Sequence, residues 1–304
     1  MTATASVPLT TAPAVGSLTT AAGGAKKRLT SPWASLAAVV LGVLWTVPTF
    51  GLALSSVRPE RQIKTTGWWT FFNDPQLTLD NYRAVLSSDS GVNLGQAFLN
   101  SLVITIPSVL IPLALASLAA YVFAWIDFKG RDLLFVMVFA LQIVPIQVTL
   151  IPLLKIYNQT GLTNTYWTVW LAHSCFALPL AIFLLHNFMR EIPRELVEAA
   201  RMDGAGHVQI FFRVLLPLLT PALAAFGIFQ FLWVWNDLLV ALTFTSTPEL
   251  APLTVGIANL SGTRGTAWHL LSAGAFVSIL IPVVVFLALQ RFFVRGLLAG
   301  GLKG

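Results

Sequence analysis

The sequence predicts an all-α membrane protein with six transmembrane helices, and three observations carry that reading. Charged residues make up only 10% of the 304-residue chain, where a globular protein carries about 25%. Apolar residues make up 56%, and six long stretches between successive charges are apolar throughout. Too few charges remain to clothe a water-facing surface, which excludes a soluble enzyme and a disordered chain. The net charge of +6 does not argue for nucleic acid, because the basic residues sit between apolar runs instead of clustering on one face. Such placement orients a membrane protein by keeping Lys and Arg on the cytoplasmic side. The single cysteine, Cys175, lies within an apolar run, cannot close an intrachain disulfide, and reads as a small packing residue.

The charge-free apolar runs are 29–57, 90–126, 133–154, 156–189, 214–236 and 265–290, the shortest holding 22 residues. About 20 helical residues cross a hydrocarbon core of about 30 Å, so each run is long enough. The spans are placed at 33–57, 97–125, 133–155, 166–189, 217–240 and 268–291, within a domain of residues 29–304. Residues 1–28, rich in Thr, Ser, Pro, Gly and Ala, read as a disordered cytoplasmic tail. Lys26, Lys27 and Arg28 precede an apolar stretch as in a secretion signal, but Trp33 to Val57 is too long for its apolar region, so an uncleaved first span is expected.

Six spans place both termini on one side. The tail, the loop 127–132, the loop 190–213 and the C-terminus hold twelve Lys and Arg against six on the other side, which sets both termini in the cytoplasm. The external loop 58–96 is mixed in sign and carries Trp68, Trp69, Phe71 and Phe72 before a turn at Asn73-Asp74-Pro75. Those aromatics suit either the interfacial belt or a docking surface for an external partner. Segment 237–264 is broken by Pro248, Pro252, Gly256 and Gly262 into pieces too short to cross, and is expected to be external or re-entrant.

The loop 190–216 carries the strongest local grammar. Pro193 fits the first turn of a helix, where a missing N–H costs nothing. Glu195 suits that turn electrostatically, Glu198 can pair with Arg194 and Arg201, and Gly204 supplies a left-handed stop. Leu196, Ala199 and Ala200 fall at i, i+3 and i+4 and form an apolar stripe made mostly of methyl groups. Such a helix can lie in a groove on another protein, or rest on lipid headgroups with its arginines toward anionic lipid.

The wider pattern decides between them. Glu198-Ala199-Ala200, three residues, Gly204, nine residues, Val214, one residue and Leu216-Pro217 resembles the EAA loop of bacterial ABC importer permeases, whose consensus has Ile at the position of Val214. The resemblance continues through Gln147 to Pro152, Gly161-Leu-Thr-Asn164-Thr165, Asp203-Gly204-Ala205, Trp235-Asn236 and the tail from Gln290 to Gly304. Over residues 30–304 it is to the carbohydrate-uptake branch, the class of the maltose importer.

That resemblance implies the type I ABC importer permease fold in a bacterial inner membrane. It also implies partners: two cytoplasmic ATPase subunits, a second permease, an extracytoplasmic solute-binding protein and a sugar. No cofactor is expected in this chain. It has no Gly-x4-Gly-Lys-[Ser/Thr] phosphate loop, so ATP and Mg are expected on the ATPase subunits and no enzyme activity is expected here. Pro193, Glu195, Leu196, Glu198, Ala199, Ala200, Asp203, Gly204, Gly206 and Pro217 would form the coupling element. Moving a two-state pore from 1:99 to 99:1 takes about 5.5 kcal/mol of differential binding, which requires a rigid helix.

Polar groups inside spans are costly and often line a cavity. Gln142, Gln147, His173, Gln230, Trp233, Asn236 and Asp237 are therefore candidates for the substrate pathway, since amides bond hydroxyls and aromatic faces pack on sugar rings. The competing role for each is a helix-to-helix hydrogen bond. His173 has no second metal ligand at i±3 or i±4. The leading cargo is an alpha-glucoside or other oligosaccharide, with glycerol-3-phosphate or a polyol as the alternative within the family. An ion-coupled secondary transporter is the alternative outside it, with Asp237 its one candidate buried acid.

Overall fold

A computed structural model describes residues 32–87, 92–245, 247–261 and 267–301, with side chains described as far as residue 290. The tail 1–28 lies outside these residues. Among them the chain is helical with no strand. Two compact units divide at Leu54. The first contributes most of α1 (Pro32–Ser56), a 25-residue helix in which Pro48 is carried mid-length and Thr46 returns its hydroxyl to the Gly42 carbonyl at 2.7 Å. Its large side chains, among them Leu41, Leu44 and Trp45, are exposed, as suits a helix solvated by lipid.

The second unit opens with a small ordered segment. Arg58 is 1% exposed, yet it makes no ion pair among the described residues. Its guanidinium donates to Gln62 Oε1, the Gly67 carbonyl, Thr66 Oγ1 and Thr70 Oγ1, all between 2.9 and 3.2 Å. This network closes α2 (Glu60–Thr65) and a 3-10 turn (Trp68–Phe72) around one buried charge. Asn81, in α3 (Asp80–Leu86), donates to the carbonyls of Ser56 and Arg58. Trp69 and Phe72 stay outside and exposed.

α4 (Leu94–Trp125) starts three residues before the expected span, because the Asn93 side chain accepts the Gln96 N–H and caps it. It packs most extensively on α7 (Trp167–Arg190). Ala116 and Ala120 on the first and Ala177 and Ala181 on the second are buried there, and small side chains let the two backbones approach. α13 (Trp268–Gly301) packs closely on the start of α4 at Leu94: a Cβ on Gly274 would stand 2.9 Å from Leu94 Cδ1.

Among the described residues four helices are long and apolar enough to cross a membrane, and up to six crossings result if each of two bent pairs counts as one. The expected span 133–155 is the first pair: α5 (Arg131–Ala140), extended by a 3-10 turn to Ile143, meets α6 (Ile146–Gln159) at 99°. Pro145 has no N–H to continue the ladder and holds Val144 extended at ψ 119°. The second pair is α9 (His207–Leu218) and α10 (Thr220–Trp235), bent by 71°. Within α9 a π turn spans Ile210–Leu215, closed by the Leu216 N–H on the Phe211 carbonyl just ahead of Pro217.

Segment 237–264 holds α11 (Leu239–Phe244), a 3-10 turn (Pro248–Leu250) and α12 (Leu253–Ser261). It is fastened to α4, where Asn100 donates to the carbonyls of Glu249 and Ala251 and Ser101 Oγ accepts the Leu253 N–H at 2.8 Å.

Candidate functional site

Two places collect the candidate residues. The first is α8 (Arg194–Met202), between α7 and α9. Pro193 stands one position before the helix, at its N-cap, with φ −56° and ψ 133°. Glu195 is exposed in the first turn. The C-terminus is a Schellman stop: Ala205 N–H reaches the Ala200 carbonyl at 3.0 Å and Gly204 N–H the Arg201 carbonyl at 2.9 Å. Asp203 is the C-cap, and Gly204 takes the left-handed φ of +81° that the motif needs. Gly206 starts α9, its N–H held by Gln209 Oε1 at 3.2 Å. Pro217 lies exposed in the last turn of α9.

The buried face of α8 differs from the expected stripe. Val197, 2% exposed, is the anchor in the core, and Ala200 is half-buried beside it. Leu196 and Ala199 are exposed, and Met202 is 88% exposed. Two large apolar side chains on a free helix face next to a methyl group form a surface ready for another protein. Glu198 makes no ion pair with Arg194 or Arg201 among the described residues. Exposed side chains gain only about 0.2–0.5 kcal/mol from such a pair, and all three line a cleft on the opposite side of α8.

Two residues absent from the sequence reading tie this region to the bundle. His207 Nδ1 and Tyr121 Oη are 2.6 Å apart, and the Tyr121 ring meets Phe211 edge-on at 5.5 Å. No spacing rule links positions 121 and 207.

The second place is a cleft of about 140 Å³ among α5, α7 and α10, which brings together Gln142, His173, Gln230 and Trp233. It adjoins a larger cavity of about 730 Å³ at the α5–α6 bend, which shares Gln142 and Trp233 and adds Gln147. His173 and Gln230 are buried; Gln230 Nε2 donates to the Ser108 carbonyl at 3.3 Å. Gln142, Gln147 and Trp233 are exposed to the open space. Phe226 and Phe229 complete the wall with Gln230 and Trp233; their spacing of i, i+3, i+4 and i+7 on α10 was a readable signal. Among the described residues no Lys, Arg, Asp or Glu lines either space.

Asn236 and Asp237 do not join this cleft. Asn236 returns its amide to the Leu232 carbonyl of its own helix at 2.8 Å. Asp237 accepts the N–H groups of Val240 at 3.3 Å and Ala241 at 2.9 Å, so it caps α11. Its Oδ2 lies 3.8 Å from His173 Nε2, behind the cleft wall. Among the described residues no three His, Cys, Asp or Glu side chains converge as a metal site.

A bundle of apolar helices with a neutral polar cleft within it and a charged loop helix that exposes Leu196, Ala199 and Met202 is, as a class, a membrane transport subunit. Residues 113–298 match the profile of the binding-protein-dependent transport system inner membrane component, and the chain belongs to that family of multi-pass inner-membrane permeases, which are not themselves catalytic. It is 50% identical over 273 residues to the osmoprotective compounds uptake permease protein GgtD of Synechocystis sp., covering 88% of this chain and 91% of the relative. To the alpha-glucoside transport system permease protein AglG of Rhizobium meliloti it is 49% identical over 257 residues, covering 82% and 67%. Its fold matches a chain of a bacterial ABC transporter for the acidic polysaccharide alginate, with TM-score 0.70 at 21% identity over 86% of this chain and 96% of that one.

Proposed function

We propose that this chain is one permease of an ATP-driven, binding-protein-dependent importer whose cargo is a neutral, polyhydroxylated solute, with an alpha-glucoside as the leading candidate. The observation that carries the reading is the convergence of Gln142, His173, Gln230 and Trp233 in one cleft that has no charged side chain. Amides and imidazole exchange hydrogen bonds with hydroxyls, and the Phe and Trp faces pack on C–H surfaces. Glycerol-3-phosphate would call for a cation, and this wall supplies none. The printed function of the Rhizobium relative, alpha-glucoside transport, supports the same cargo. The use of Asp237 as a helix cap speaks against an ion-coupled carrier.

In this reading each bent pair makes one crossing, giving six, and both termini face the cytoplasm. Two ATPase subunits hold ATP and Mg. One of them grips the exposed face of Leu196, Ala199 and Met202, with the segment Pro193 to Gly206 as the coupling element. A second, different permease completes the pathway, and an extracytoplasmic binding protein delivers the sugar.

The test is reconstitution of the four kinds of subunit in proteoliposomes with a radiolabelled alpha-linked glucose disaccharide. Uptake is expected only with internal MgATP and external binding protein, and Gln230→Ala should reduce it. Uptake driven by a proton or sodium gradient without ATP would overturn the reading. ATP-driven uptake of glycerol-3-phosphate but no glucoside would overturn the cargo.

A further inference from the structure

The end of the bundle that carries α8 contains a third cavity, of about 370 Å³, separate from the transport cleft. Its volume is within the range of small-molecule sites, roughly 300–1,000 Å³. Four guanidinium groups line it, from Arg131 on α5, Arg190 on α7, and Arg194 and Arg201 on α8. Only Arg131 is satisfied, by Asp127 at 2.6 Å and Asp132 at 3.3 Å. The other three make no ion pair among the described residues; with Asp127, Asp132 and Glu198 in the same wall, four guanidinium groups against three carboxylates leave a surplus of one positive charge. His186 completes the titratable groups of the lining.

Three exposed guanidinium groups without a carboxylate partner among the described residues face one cleft, and one of them is placed against its helix. Arg194 is the first residue of α8, where the helix dipole disfavours positive charge. The wall also includes Trp125, whose buried Nε1–H has no acceptor among the described residues. A bound anion resolves each of these: it neutralises the surplus charge and gives guanidinium forks a planar, bidentate partner.

The cleft is on the bundle side of α8. Arg194, Val197, Glu198 and Arg201 fall at i, i+3, i+4 and i+7 on one face, turned away from Leu196, Ala199 and Asp203. Val197 holds that face against the core. An occupant here would lie on the other side of α8 from Leu196 and Ala199.

We propose that this cleft binds a phosphate group, carried by an anionic phospholipid headgroup or free in solution, between α5, α7 and α8. Bound phosphate ties the loop helix to two spans and stiffens it. That consequence for transport rests on α8 being the coupling element; the binding itself does not.

The test uses the complete transporter, delipidated in neutral detergent. Inorganic phosphate and short-chain phosphatidylglycerol are titrated separately, followed by calorimetry and native mass spectrometry. Saturable binding of at least one probe is expected, weakening about fivefold for each of R190Q, R194Q and R201Q, on the scale of one basic residue near an anionic surface. R83Q, on an exposed arginine remote in sequence, should leave it unchanged. Binding of both probes means a phosphate site; binding of phosphatidylglycerol alone means a lipid site. Exclusion of both probes from the assembled complex, as when an acidic ATPase segment fills the cleft, would overturn the proposal. So would binding that survives R190Q/R194Q/R201Q in a variant that still assembles. Either result would leave the transport assay untouched.

Discussion

Gly204 and Gly206 provide a clean separation of backbone conformation from packing. A Cβ added at either position meets nothing within 4 Å, so neighbours contribute equally little to both substitutions. The backbones differ: Gly204 has φ +81°, Gly206 has φ −77° and ψ 170°. An L side chain in the left-handed region costs about 1–2 kcal/mol, whereas Gly206 already occupies ground that any residue takes. Gly204→Ala should therefore raise hydrogen exchange at the Gly204 and Ala205 amides about 5- to 30-fold, because their bonds to Arg201 and Ala200 form the stop. Gly204→Val should do more and Gly204→Asn less, since Asn tolerates this region and a β-branched side chain does not. Gly206→Ala should leave exchange unchanged or slow it slightly.

If the whole cost is felt at the switch, a 99:1 outward population falls to between about 20:1 and 3:1. At most about one ATP cycle in four then fails to open the pore. The assays are exchange mass spectrometry on the assembled transporter and cargo moved per ATP. Equal effects of Gly204→Ala and Gly206→Ala would refute the reasoning, because only the left-handed angle distinguishes them.

Asp237→Ala removes the α11 cap and should cost about 1 kcal/mol, seen as faster exchange across Leu239–Phe244, with Asp237→Asn retaining most of the protection. Tyr121→Phe deletes the bond to His207 but keeps the ring on Phe211; a loss of about 0.5–1.5 kcal/mol should lower cargo moved per ATP without releasing the ATPases. In the external segment, the hydrogen bond from Lys64 holds the Glu60 carboxyl below its ordinary value of 4.5. A depressed acid lends its stability above the unfolded value and loses it as pH falls through the folded one. Protection of α2 should thus fall below about pH 4.5, and Lys64→Gln should shrink that step, leaving the part that His269 supplies.

The features legible in the sequence are those that depend on local chemistry. Pro193 and Gly204 bracket a helix within one residue of where it lies, and the long apolar runs correspond to long or paired helices. Apolar continuity, however, does not report chain direction, so the 99° bend at Pro145 was hidden inside one run. α11 has six residues, too few for a periodic signal, and without it the capping role of Asp237 cannot be seen. Val197 was passed over because the alanines around it define a tidier stripe, while burial is decided by Ile210, Phe211 and Leu215 packing from the next helix. The sequence places Arg58 only as one of six Lys and Arg on the external side; the fold gathers the four oxygen acceptors that let it be buried.

The proposed coupling has a continuous material basis. α8 is fixed by Val197 in the core and leads through the glycine stop into α9, whose His207 is bonded to α4 and whose Phe211 rests on the same Tyr121. Beyond the π turn and Pro217 the chain bends by 71° into α10, and α10 is the helix that presents Phe226, Phe229, Gln230 and Trp233 to the cleft. A displacement of α8 therefore reaches the cargo wall along one chain segment, without crossing a solvent gap. In the proposed coupling the π turn and the bend, where the helix departs from regular α geometry, are the parts that hold two arrangements while the helices on either side stay rigid. Rigid α8, a hinge at 210–219 and a rigid α10 make a lever, and a lever transmits a push of a few kcal/mol only if its arms are stiffer than its hinge.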